Sequence, residues 1–204
     1  MRWFSRAAII AASLGLIVAS TVSSASAQQR IRGQIEKADG SMLTLKTRDG
    51  ATLQVKLADD ARVAGLNKAS LADIKDDTFI GIAGMPEADG TIKAFSIHIF
   101  LPAQRGVVAD RHGPWDAKPG STMTNGFVGA KVAAKDGETL TVKYKEGEKK
   151  VVVGPDTVIQ AVAPGNKDEL KAGAQIIIMA SEKQADGSVV AKNVYVGRGL
   201  TPAM

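Results

Sequence analysis

Two stretches of this 204-residue chain carry the same order of turns and strands, and that repetition limits the fold more than any single motif does. After Gly33 come an Asp39-Gly40 turn, Leu43-Thr44-Leu45-Lys46 and an Asp49-Gly50 turn. After Gly129 come Asp136-Gly137, Leu140-Thr141-Val142-Lys143 and Glu146-Gly147. These turns and strands lie 97 residues apart. Farther on, Ile74-Lys75-Asp76-Asp77 answers Leu170-Lys171-Ala172-Gly173 at an offset of 96. Ala88-Asp89-Gly90-Thr91 answers Ala185-Asp186-Gly187-Ser188 at 97. Self-similarity of this kind predicts two tandem copies of one small unit.

Each copy reads as all-β with one short helix. Leu43 and Leu45 alternate with Thr44 and Lys46, and Leu53, Val55 and Leu57 alternate with Gln54 and Lys56. Period-2 alternation gives a strand with one buried and one wet face, and Asp-Gly pairs favour tight hairpins. In the first copy, strands are expected near residues 31–38, 43–46, 53–57, 60–64, 78–84 and 92–101, with a short helix near 70–75 capped by Ser70. In the second they are expected near 128–134, 139–144, 149–153, 157–161, 175–181 and 189–196, with a helix near 167–171. A first set of strands, a short helix and two further strands is the order of an OB-like barrel. The expected domains are 28–101 and 127–197, joined by a Gly- and Pro-rich segment at 102–126 and followed by a loosely held tail at 198–204.

The first 27 residues read as a signal peptide. Arg2 and Arg6 precede an apolar run at 7–18, and Ala25-Ser26-Ala27 is a small-x-small cleavage site. The run is shorter than the roughly 20 residues that span a bilayer, so the expectation is export to a bacterial periplasm with no membrane insertion after cleavage. Without Arg2 and Arg6, 24 of the 26 basic residues face 21 acidic ones, a net charge of +3. That excess is thin and dispersed, unlike the dense patch of a nucleic-acid binder. The absence of cysteine removes disulfides, thiolate metal sites and thiol nucleophiles together.

The doubled pattern resembles a family of exported bacterial OB-like domains of unknown function. The residues that carry it are Gly33, Asp39-Gly40, Leu43-Thr44-Leu45, Ile74-Lys75 and Asp89-Gly90-Thr91. In the second copy they are Gly129, Asp136-Gly137, Leu140-Thr141-Val142, Leu170-Lys171-Ala172-Gly173 and Asp186-Gly187-Ser188. The first copy departs at Asp77, where the pattern has glycine. The resemblance implies a fold and a compartment, and no catalytic residue.

The chemistry-bearing residues gather where the repeat breaks. Asp110, His112 and Asp116 form a carboxylate–imidazole–carboxylate set that could hold a divalent ion. Met123 and the other methionines, with a histidine, could suit copper, although no Met-x-Met cluster exists and Met179 sits in an apolar run. His98 lies between Ile97 and Ile99, and Tyr195 lies between Val194 and Val196. Both copies thus set a polar-tipped ring opposite the core face. No Gly-x-Ser-x-Gly elbow is present. The reading is a non-enzymatic periplasmic binding or interaction module without a cofactor, serving an envelope protein or small ligand. Its working surface is expected at Trp115, His98, Tyr195 and Met123, near His112 and Asp116. A metal-handling accessory protein using Asp110, His112 and Asp116 is the alternative.

Overall fold

The computed structural model describes residues 30–134, 137–184 and 188–204. The expected signal segment at 1–27, Asp136 of the expected Asp-Gly turn and the expected turn at 185–187 lie outside the described residues. The strands are β1 (Ile31–Asp39), β2 (Met42–Thr47), β3 (Thr52–Lys68), β4 (Phe79–Pro86), β5 (Ile92–Ile99) and β6 (Arg111–Pro114). They continue as β7 (Thr122–Ala134), β8 (Gly137–Tyr144), β9 (Gly147–Pro164), β10 (Gln175–Lys183) and β11 (Val189–Gly197). The expected helices are each a single 3-10 turn, at Leu71–Asp73 and Lys167–Glu169. Three residues are too few to pack an apolar stripe. The first turn is capped as the sequence predicts, with the Asp73 carboxylate accepting from the Ser70 N–H and Oγ at 2.8 Å each.

Strand pairing crosses between the halves of the chain. β1 pairs with β2 and β2 with β3, all antiparallel. β3 then runs parallel to β11, β11 pairs with β10, and β10 returns to β1. These five strands close a barrel. A second ring closes through β7, β8, β9, β5 and β4, again with one parallel contact, between β5 and β9. Each ring therefore takes three consecutive strands from one half and two from the other. The strands of residues 28–101 do not close on one another; β4 and β5 pair across to β7 and β9.

The physical reason lies in β3 and β9. Each was expected as two short strands, and each is one continuous strand, of 17 and 18 residues. At about 3.3 Å per residue, β3 carries the chain along a path of roughly 55 Å. Its far end stays paired with β11 as far as Leu66 and on its other edge pairs antiparallel with β9, from Ala64 opposite Pro164 to Lys68 opposite Gln160. The chain thus reaches β4 beside the second ring.

Each ring has its own core. Ile35, Leu43, Leu45, Val55 and Ile178 are buried together in the first, and Ile80, Ile82, Ile97, Leu140 and Val151 in the second. A third cluster fills the seam between them, around Leu66, Val162, Ile177 and Met204. Alternation explains who goes where. On β10, Ile176 and Ile178 face the ring interior while Ile177 and Met179 face the seam. An unbroken apolar run is what a strand buried on both faces requires. On β3, Val55, Leu57 and Val63 point inward, and Ala64 and Leu66 join the seam.

The segment at 198–204 is held, contrary to the expectation of a loose tail. Arg48 Nη2 donates to the Pro202 carbonyl and Arg32 Nε to the Met204 carbonyl, both at 2.7 Å. Gln160 donates to the Thr201 carbonyl and accepts from the Ala203 N–H. Met204 is the anchor, with its side chain buried in the seam.

Asp77, the departure from the repeat pattern, has φ +59°, and Gly173 at the matched position has φ +86°. Both sit in the left-handed region, which disfavours a Cβ. Gly173→Ala should therefore lower unfolding free energy by about 1 kcal/mol in a urea titration. Asp77→Gly should change it by less than about 0.5 kcal/mol, because relief of strain offsets loss of the exposed ion pair with Arg105.

Candidate functional site

The seam contains a cavity of about 490 Å³, in the size range of ligand pockets. β3, β9, β10 and β11 supply one side, and the central segment with the start of β7 supplies the other. Its wall is mostly apolar, including Phe100, Trp115, Met123, Val162, Met179 and Met204. The charged residues that line it are Arg30, Arg62 and Arg111.

The central segment is ordered by pairing. β6 pairs antiparallel with β7, setting Arg111 opposite Asn125 and His112 opposite Thr124. This turns Trp115 into the seam, where the Arg30 guanidinium lies 3.7 Å from the ring centroid. Asp116 fixes the same corner. Its carboxylate accepts from Arg32 at 2.7 Å and pairs with Arg30 at 3.3 Å. Burial pushes the Asp116 carboxyl up, but the hydrogen bonds and charges of Arg32 and Arg30 outweigh it and hold it below the usual carboxylate range.

The proposed metal ligands are not brought together. Among the described residues no group of three or more His, Cys, Asp or Glu side chains gathers at one point. Asp116 is committed to two arginines, and His112 Nδ1 is paired with Thr124 Oγ1 at 2.8 Å. Burial, with the charge of Lys149, lowers the His112 pKa. Asp110 Oδ1 is buried without a hydrogen-bond partner. Arg30, just before β1, and Arg32, on β1, were the missing information, since nothing in the spacing of 110–116 signals them.

Trp115, Met123 and Tyr195 line the cavity. The Tyr195 hydroxyl accepts from Gln104 Nε2 at 3.0 Å, and burial raises its pKa. His98 does not line the cavity. It is 0% exposed on the outer face of β5, between Gly81 on β4 and Gln160 on β9. Gln160 spends its amide N–H on the Thr201 carbonyl, so its Oε1, 3.0 Å from His98 Nε2, must accept. Nε2 therefore carries a proton that it donates to Gln160, and Nδ1 faces Ser96 Oγ at 3.4 Å. Burial pushes the His98 pKa down to about 4, against the opposing effect of the Gln160 hydrogen bond.

Arg62, Phe100 and Met179 escaped the sequence reading as site residues. The outward phase of β3 signals Arg62, but only once residues 52–68 are read as one strand. No protein-family model, curated protein or solved structure matches the chain.

Proposed function

We propose that this protein is a non-enzymatic binding module whose ligand seat is the seam cavity. The observation that carries the reading is the cavity itself: about 490 Å³, walled by aromatic and thioether side chains, with few polar groups at its edge. That is the make-up of a small-molecule site. Among the described residues no aspartate, glutamate, histidine or lysine lines it, and Tyr195 is the one side chain there of a type used in acid–base catalysis. We further propose that both rings are OB-like barrels, that the chain arose by duplication, and that the paired strands were exchanged between copies. The ring order and single parallel contact, the same in both rings, support this. Export to the periplasm rests on the layout of residues 1–27, and predicts a mature chain beginning at Gln28 on N-terminal sequencing.

The seat is tested with the neutral apolar dye phenylnaphthylamine. The account predicts saturable one-to-one binding that changes Trp115 emission and is lost in Val108→Trp, which fills the cavity from its half-buried wall. Bound dye must also raise the melting temperature with its concentration, as native-state ligands do. Non-saturable dye uptake, or binding unchanged by Val108→Trp, would remove the seam as the seat.

A further inference from the structure

Resting on the seam cavity as ligand seat, we infer that its occupant is an amphipathic carboxylate: one anionic head on a hydrocarbon or aromatic body. The first support is charge. Arg30, Arg62 and Arg111 line the cavity, and among the described residues no acidic side chain does. Arg30 is spent on Asp116 and on the face of Trp115. Arg62 and Arg111 form no ion pair or side-chain hydrogen bond among the described residues. An uncompensated pair of cations at the edge of a low-dielectric pocket attracts an anion, and the guanidinium fork matches a carboxylate in two-point geometry.

The second support is the polarity gradient. Arg62 and Arg111 are exposed, as is Val107 at 70%, so these residues form the rim. Met123 and Met204 are 7% and 2% exposed and form the floor. A ligand that fits this gradient has its charge at one end and its apolar body at the other. The methionines, flexible and polarisable, accommodate bodies of varied shape.

The third support is a set of unspent hydrogen-bond groups on the same wall. Trp115 Nε1 and Arg30 Nε are buried donors with no acceptor, and Asn125 Oδ1 is a buried acceptor with no donor. Leaving such groups unpaired in a buried wall is costly, so a partner that satisfies them is favoured. Of the three, two want an acceptor, which is what a carboxylate offers.

The test compares laurate, dodecanol and dodecyltrimethylammonium below their micellar concentrations, by displacement of phenylnaphthylamine from the full protein. The same chain length with three head charges isolates the rim. Laurate is expected to bind about tenfold or more tightly than either other probe, with affinity falling as salt rises. Joint substitution Arg62→Ala with Arg111→Ala should erase that preference while leaving dye affinity within about twofold. Both side chains are exposed and unpaired, so the variant keeps its fold. Equal binding of laurate and dodecanol, tighter binding of the cationic probe, or a preference that survives the double substitution would overturn the anion assignment and leave the seat intact. Failure of the dye as well as of all three probes would instead remove the seat.

Discussion

Lowering the pH from 7 to 4 should strip about 3 kcal/mol of stability from this protein through His98 alone. The unfolded chain takes up a proton near the ordinary histidine value of 6.5, whereas the buried imidazole resists protonation until about 4. The unfolded state therefore binds more protons across that window. Stability is complete above pH 7, falls as the pH drops through 6.5, and stops falling on this account below about 4. Each pH unit is worth about 1.4 kcal/mol. Carboxylates such as Asp116, whose folded pKa is depressed, add their own loss only at lower pH. Urea titrations at half-unit intervals would show the slope, and His98→Gln should flatten it between pH 7 and 4.5. An unchanged slope in that variant would mean that His98 is not the buried neutral group described above. The network Ser96–His98–Gln160–Ala203 also makes the 198–204 segment the first part expected to loosen in acid.

Gly126→Ala should destabilise by about 3 kcal/mol, whereas Gly129→Ala should cost less than about 1. A Cβ on Gly126 would stand 2.3 Å from the backbone oxygen of Lys143, and neither strand can yield without breaking the β7–β8 ladder. At Gly129 it would meet only the flexible Lys143 side chain, at 3.1 Å. Gly33 repeats the Gly126 contact, with its Cβ placed 2.3 Å from the oxygen of Lys46. Gly33 and Gly126 are thus the structural equivalents, although the repeat pattern matches Gly33 with Gly129. The ladders show why. Gln34 faces Lys46 as Phe127 faces Lys143, and Ile35 faces Leu45 as Val128 faces Val142. The β7–β8 hairpin is longer than the β1–β2 hairpin by four residues, which restores the offset of 97 at the following strand. Thermal melts of the two variants decide between the alignments. A large loss at Gly129 with none at Gly126 would favour the sequence match.

Local structure was legible because short-range physics sets it. Alternation in Leu43–Leu45 and Leu53–Leu57 marked β2 and β3, and Ser70 with Asp73 marked the first 3-10 turn. The match of Asp77 to Gly173 was legible, but the left-handed backbone that the two share was not. Pairing between halves was not legible, since the two β4/β5 and β10/β11 hairpins match each other too well for the sequence to say which ring each joins. Continuity of β3 hid behind Ala58-Asp59, which separates the two expected strands and instead stays extended. Trp115, Met123 and Tyr195, which stand out in a ring-poor sequence, line the cavity. Asp116, a candidate metal ligand by its spacing from His112, is paired with Arg30 and Arg32, 86 and 84 residues away in sequence.

Everything at the seam depends on each ring being built from both halves of the chain, and the lack of native cysteine allows a direct measurement of that. Gln34 on β1 faces Gln175 on β10, where antiparallel Cα atoms stand about 4.5–5.5 Å apart, within disulfide reach. The position matched to Gln175 in the first half is Phe79, which faces Phe127 as Gln175 faces Gln34. The protein carrying Gln34→Cys with Gln175→Cys should form an intramolecular disulfide under air, and the one carrying Gln34→Cys with Phe79→Cys should not. A bridge in the second protein and none in the first would show each half closing its own barrel, and would contradict the exchanged architecture.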